Sequence, residues 1–310
     1  SRYDSTVGNR TVRGHGAAAA AVQKLPDSHR GFALTITGRG EVCAAHPFLG
    51  AQAALGDACR DLACVGAELL AITDGLNMAS PRDPVENLKL SEVIRGLKEG
   101  LEALGVPVTG GNVSLYNESP SGPIPPTPMV GGLGVVEDVR QVPTVALTAD
   151  HALILLGDVT DRRCFSHFAR QRTDVDGGDA PAVDLAADKR LAAFLVGQVR
   201  RGRVQAAKGS GLGGLAVALA KMCLAGGVGA RVTLPEGLGR ADWALFGEHP
   251  AVAWVSVAPA DADAVLREAQ AAGISAHRAG MAGGARCVMG GFIDVPLARL
   301  VDASRGGSLD

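Results

Sequence analysis

The chain has 310 residues, of which 47% are hydrophobic and 20% charged, and its formal net charge is −2. That length and apolar content suit about two packed domains. The near-neutral balance argues against a nucleic-acid surface as the main function, and no apolar run approaches the ~20 residues that span a bilayer.

The chain opens on Ser1 without a Met or a basic, then apolar, then small-residue leader. It reads as one part of a longer protein. Residues 1 to 30 are polar and Gly/Ala-rich with weak periodicity. Gly31-Phe32-Ala33-Leu34-Thr35-Ile36 and Glu41-Val42-Cys43-Ala44 are strand-like, and Thr37-Gly38-Arg39-Gly40 between them predicts a hairpin turn. A helix follows His46-Pro47, with Ala54, Leu55, Ala58, Leu62 and Val65 recurring at helical spacing and Gly66 as its C-cap.

Leu69 to Thr73 predicts a buried strand, with Asp74 directly after it. Open α/β folds place ligand groups at that end of a strand. Asp74-Gly75 is also a strong turn dipeptide, so the spacing alone leaves both readings open. Pro81 to Pro84 is a breaker, and Leu90, Val93, Ile94, Leu97, Leu101 and Leu104 then form an apolar helical stripe closed by Gly105.

Pro107-Val108 begins an extended run. Gly110-Gly111 removes two side chains, so a ligand or backbone can approach closely. Asn112, Ser114, Asn117 and Glu118 supply oxygens and amides, hard groups suited to Mg²⁺ and phosphate. A glycine turn whose polar residues face water fits the same residues.

Ser121 to Pro128 predicts a stiff extended loop, and Met129 to Val136 a strand closed by Glu137-Asp138. A domain boundary falls at 140–150. Ala152 to Gly157 is the next strand, and residues 158–186 are polar and poorly patterned. Leu185 to Val199 and Gly214 to Leu224 predict helices. Val252 to Val257 with Ala262 to Ala272 predicts a strand–helix unit, and 305–310 a frayed tail. The six cysteines form no Cys-x-x-Cys pair and read as reduced core thiols of a cytosolic protein. Aromatics are only 4%, which suits helices packed closely on a sheet through small residues.

The string Gly111-Asn112-Val113-Ser114-Leu115-Tyr116-Asn117-Glu118 resembles the signature of the phosphoribosylformylglycinamidine synthase family, ATP-dependent amidotransferases of purine synthesis. Further matches run through the chain. They include Tyr3-Asp4 with Asn9-Arg10-Thr11-Val12, Asp61 to Glu68, Ile72 to Asn77, Gly213 to Ala220, Leu245-Phe246-Gly247-Glu248 and Phe292 to Leu297. The similarity is to the C-terminal half of the long form.

The resemblance implies an α/β (α+β) fold of the two-domain, PurM-like (AIR synthase-like) kind. Residues 1–146 are then an N-terminal sheet domain that pairs into a barrel and holds half of an ATP/Mg site, and residues 147–310 a C-terminal α/β domain. Carried over residue by residue, Asp74 and Gly111 contact ATP, Asn112 ligates Mg²⁺ through its amide oxygen, and Ser114 contacts formylglycinamide ribonucleotide.

The implied reaction is conversion of an amide to an amidine in the cytoplasm. The amide oxygen attacks the γ-phosphate of ATP, and ammonia then displaces phosphate from the iminophosphate. The implied partners are the N-terminal half of the synthase, a glutaminase subunit and a small bridging subunit. No nucleic acid or membrane is implied. Without its first half the piece exposes its barrel-forming sheet, which leads to an expected homodimer.

Three departures stand out. The family carries a His-Asp…Ser-Asp-Gly-Gly run where this chain has Lys208-Gly209-Ser210-Gly211-Leu212-Gly213-Gly214; both acids are gone, and the loop reads first as a flexible entry to the following helix, with the glycines and Lys208 as the alternative of an anion cradle. The family's Asn is Asp61 here, and its Phe-Gly is Met78-Ala79. No catalytic base is assigned, because His46, His249 and His277 read as loop or surface residues. Two other readings remain: another ATP-using member of the AIR synthase superfamily, and a non-catalytic half that props up the catalytic one.

Overall fold

The structure is a computed structural model describing residues 7–160, 165–172 and 183–306. Tyr3-Asp4, Cys164 and much of the poorly patterned 158–186 stretch lie outside the described residues.

In chain order the first part contains β1 (Thr11–Arg13), β2 (Ala21–Lys24), β3 (Gly31–Gly38), α1 (Gly40–Ala45), α2 (Pro47–Cys64), β4 (Glu68–Asn77), α3 (Pro84–Leu104), β5 (Val108–Ser114), β6 (Glu118–Ser119), β7 (Gly122–Pro123) and β8 (Thr127–Val136). Six of these strands form a sheet in the order β1-β2-β3-β8-β4-β5. β4 and β5 run parallel, and the other pairings are antiparallel.

The pleat assigns the two faces of this sheet. Ala33 and Thr35 of β3 and Val130, Gly132 and Gly134 of β8 are turned inward and buried. α2 lies against them. A Cβ on Gly132 would meet Leu62 and Ala58, and one on Gly134 would meet Ala67. The small residues therefore set how closely the helix approaches. The opposite face leaves Leu34, Ile36 and Met129 exposed.

α3 begins as its sequence dictates. Asp83 caps it by accepting from Val85 N (2.8 Å) and Glu86 N (3.2 Å), Pro84 opens the first turn, and Gly105 closes it at φ 73°. Val93, Leu97 and Leu104 of the stripe are buried, while Ile94 is half exposed beside the β5 edge.

The second part contains β9 (Ala152–Leu156), α4 (His167–Arg172), α5 (Leu185–Arg200), β10 (Val204–Gly209), α6 (Gly214–Gly226), β11 (Ala230–Val232), α7 (Ala241–Phe246), β12 (Ala253–Val257), α8 (Ala262–Ala271), β13 (Ala276–Ala282), β14 (Arg286–Met289), β15 (Ile293–Pro296) and α9 (Leu297–Gly306). Its sheet runs β10-β12-β9-β13-β11-β14-β15. The two faces of β9 feed different cores. Ile154 and Leu156 pack with Leu191 and Leu195 of α5 and Val265 of α8; Leu153 and Leu155 pack with Leu215 and Leu219 of α6. Trp254 on β12 is fully buried and donates its Nε1 hydrogen to Leu215 O (3.1 Å). The end of α2 joins this second core through Ala63 and Cys64, so one helix is common to both layers.

Several expectations are corrected. Residues 37–44 form no hairpin. β3 runs to Gly38, and Gly40–Ala45 is helical, with Cys43 N bonded to Arg39 O (2.8 Å). β8 takes one edge of β3 along its whole length and β2 takes residues 31–34 of the other, and a four-residue apolar run carries too little periodicity to separate strand from helix. β4 extends beyond Thr73 to Asn77, and Leu70 is 55% exposed, so this strand is only partly buried. The 121–128 loop contains β7 and the start of β8, the poorly patterned stretch contains α4, and α9 is helical through Gly306, with 307–310 outside the described residues. The five described cysteines are buried and unbridged, and no described helix is long and apolar enough to cross a membrane.

Candidate nucleotide site at the edge of the first sheet

Asp74 and Gly111 are paired residues on neighbouring parallel strands. Asp74-Gly75 is therefore not a turn. β5 on one side and β8 on the other hold it extended. The Asp74 side chain lies over Gly111, where a Cβ on that glycine would collide with Asp74 Oδ1. Burial without a counter-charge pushes the Asp74 carboxyl above the usual range.

Asp74 and Leu76 of β4 face α3. Together with Ile94, Leu97, Leu101 and Val108 they line a groove of about 640 Å³ that is open to solvent. Lys98 and Glu102 stand on the same helix wall.

A bulge decides which residues share that face. Ile72 pairs with Val108, but Thr73 pairs with Gly110, so Thr109 is the extra residue and Gly110 sits at φ 153°. In unbroken register Asp74 would oppose Gly110, with Asn112 and Ser114 on the same side. The one-residue shift sends Asn112 and Ser114 to the opposite face, beside Gly75 and Asn77. The four expected site residues are thus two pairs, Asp74 with Gly111 and Asn112 with Ser114, on the two faces of the sheet at its β5 edge. A single ligand touching both pairs has to cross that edge.

Asn112 is exposed, and its amide makes no hydrogen bond among the described residues. Ser114 is half-buried, with its Oγ 3.3 Å from Asn117 Oδ1. Asn117 and Glu118 are engaged locally rather than presented to a ligand. Asn117 Nδ2 donates to Met78 O and Ser114 O (both 2.9 Å), and Glu118 Oε1 accepts from Ser80 N (2.9 Å). They fasten the 78–80 loop to the end of β5.

Sequence reasoning missed a buried ion network between the two sheets. Arg39 bridges Asp57 (2.6 Å) and Glu248, and Arg60 bridges Asp57 and Asp188. Asp188 also accepts from Ala251 N (3.0 Å). Burial opposes the Glu248 carboxylate, but its bonds to His167 and Arg39 outweigh that and hold it at about 2. An Asp–Arg pair three residues apart inside a largely apolar helix, as Asp57 and Arg60 are, was the available signal. His249 is buried with Nε2 3.0 Å from Ala244 O, a core position that corrects its surface reading.

A first sheet with helices on one face, joined through α2 to a second two-faced sheet, defines the class. Residues 16–136 match the N-terminal domain, and residues 148–287 the C-terminal domain, of the AIR synthase related proteins. The chain belongs to that family. Within it, the chain is 39% identical over 303 residues to the phosphoribosylformylglycinamidine synthase subunit PurL of Thermomicrobium roseum, covering 97% of this chain and 41% of that protein. It is 40% identical over 310 residues to the PurL subunit of a Parafrankia species, covering 98% and 40%. The chain thus spans about 40% of the length of these curated relatives. In fold it resembles Thermotoga maritima PurL complexed with FGAR, with a TM-score of 0.76 and 23% identity over 92% of this chain and 48% of that one.

Proposed function

We propose that this chain is the C-terminal part of a phosphoribosylformylglycinamidine synthase, an ATP-dependent ligase of purine synthesis. It contributes one side of a composite site to the conversion of formylglycinamide ribonucleotide to its amidine, with ammonia from glutamine. The observation that carries this reading is the near-full-length similarity to PurL subunits, at 39–40% identity. The opposition of Asp74 and Gly111 beside an apolar groove supports it locally.

In this reading Asp74 and Gly111 hold ATP. A largely apolar groove with Asp74 at the strand end suits a planar base that carries an exocyclic amine, which donates to Asp74. Gly111 lets the nucleotide lie close to the backbone. Ser114 donates to an oxygen of the ribonucleotide substrate, with Asn117 fixing its position.

Asn112 offers one hard oxygen to Mg²⁺. Among the described residues no group of three or more His, Cys, Asp or Glu side chains is placed to hold a metal, so the remaining ligands come from the nucleotide and from the other half of the protein. Bound there, Mg²⁺ offsets the charge on the transferring phosphoryl group.

The reading includes the N-terminal half, a glutaminase subunit and a small bridging subunit as partners, cytoplasmic operation, and a domain division at 146/147. The exposed face bearing Leu34, Ile36 and Met129 supports self-association of the isolated chain as a homodimer; sedimentation at high concentration showing monomer alone would remove that element. ADP release from MgATP, formylglycinamide ribonucleotide and ammonium tests the whole. Turnover that appears when the N-terminal half is mixed with this chain is the expected result. Absence of turnover with both pieces folded would favour the non-catalytic reading.

A further inference from the structure

A second cleft, of about 230 Å³, lies at the seam of the two sheets, away from the groove beside Asp74. Its walls are the end of β3, one side of α2, and the loop that follows β10. Lys208 at the end of β10 and Lys221 on α6 both face it. Neither forms an ion pair among the described residues. Lys221 is held below the ordinary lysine range by burial and by the charge of Lys208, so the two ammonium groups crowd each other.

Ser210 lines the same cleft. It is fully buried, and its hydroxyl has no hydrogen-bond partner among the described residues. An unused buried hydroxyl is costly unless something supplies an acceptor. Gly209 and Gly211 flank it, and no acid interrupts the loop from Gly209 to Gly213.

The acids that face the cleft come from α2. Asp57 is committed to Arg39 and Arg60. Asp61 is hydrogen-bonded by Thr35 Oγ1 (3.3 Å); burial and the charge of Asp57 push its carboxyl up to about 6, against the opposing charges of Lys208 and Arg60. The first amides of α6 are not the attraction, because Glu248 already accepts from Gly213 N (3.1 Å).

We infer that this cleft is a metal-independent site for a small phosphate-bearing anion, held by the ammonium groups of Lys208 and Lys221 and by the Ser210 hydroxyl. Two lysines supply point charges to a tetrahedral oxyanion, and the hydroxyl donates to a third oxygen. The cleft volume admits a phosphate with a few attached atoms, but not a whole nucleoside triphosphate. The loop offers lysine and no acid to a divalent cation, and of the two carboxylates on α2 that face the cleft Asp57 is already paired with Arg39 and Arg60.

Isothermal titration calorimetry on the 310-residue chain in EDTA tests this, with inorganic phosphate in one arm and glycerol 3-phosphate in the other. Saturable binding in either arm supports the site, and the tighter arm tells whether free phosphate or a phosphomonoester is the better ligand. Lys208→Met and Lys221→Met should each weaken binding at least ~10-fold, the loss of one charge-assisted hydrogen bond, and Ser210→Ala should weaken it measurably. Lys24→Met, on the distant β2, should leave it unchanged. Thermal melts confirm that each variant is folded; Lys221 lies at the surface of α6 with its ammonium only partly buried, so its variant provides the reading even if the other does not fold. No heat in either arm, binding that appears only with Mg²⁺, or equal affinity for the wild type and Lys221→Met would overturn the proposal.

Discussion

Asp74 and Gly111 oppose each other across the parallel pairing of β4 and β5, and the Asp74 carboxylate occupies the space that any side chain at 111 would need. The carboxylate is therefore placed by a missing Cβ as much as by its own strand.

Gly111→Ala forces that carboxylate aside. Overpacking of this kind costs about 1–3 kcal/mol. Chemical denaturation should show a loss in that range, and nucleotide affinity of the reassembled protein should fall. Unchanged nucleotide affinity in a folded Gly111→Ala protein would remove Asp74 from the site.

Arg60 is buried between Asp57 and Asp188 and ties α2 to α5. Arg60→Ala leaves the buried Asp188 without its cation and Asp57 with Arg39 alone, and breaking a buried pair in this way costs about 3–5 kcal/mol. Urea unfolding should show a loss of that size, with the two parts unfolding less cooperatively. A loss below about 1 kcal/mol would mean that water replaces the pair.

Asp61 gives a pH signature. Its folded pKa of about 6 lies above the unfolded carboxylate value of about 3.9. The folded state therefore holds the proton more tightly, and stability drops as pH rises from about 4 to 6. Asp61→Asn keeps the shape and removes the charge. It should raise the unfolding free energy at pH 7.5 by on the order of 1–3 kcal/mol, seen as a higher melting temperature, and flatten the 4–6 limb. A variant less stable than the wild type at pH 7.5 would show that the ionised Asp61 is needed beside Lys208.

Much of this architecture is legible from local chemistry. Asp83, Pro84 and Gly105 bracket α3, the apolar stripe names its buried face, and Gly132 and Gly134 mark where a helix presses on a strand. Long-range choices are not legible in this way. Asp74-Gly75 is a turn dipeptide in isolation, and only pairing on both sides keeps it extended. The bulge at Thr109 reassigns Asn112 and Ser114 to another face, and the local hint of it, Gly110, reads equally well as a turn. The Arg39–Glu248 bridge joins positions 209 residues apart, with Arg39 sitting in what locally reads as a glycine turn. Arg60 and Asp188 are 128 residues apart.

In the proposed function Asn112 serves a site completed by another half of the protein. The direct measurement is steady-state ADP release by the chain mixed with the N-terminal half, wild type against Asn112→Ala, across a Mg²⁺ titration. The account predicts turnover only on mixing, and a folded Asn112→Ala protein with turnover reduced at least ~10-fold and a higher Mg²⁺ requirement. Equal turnover and equal Mg²⁺ dependence for the two proteins would contradict it.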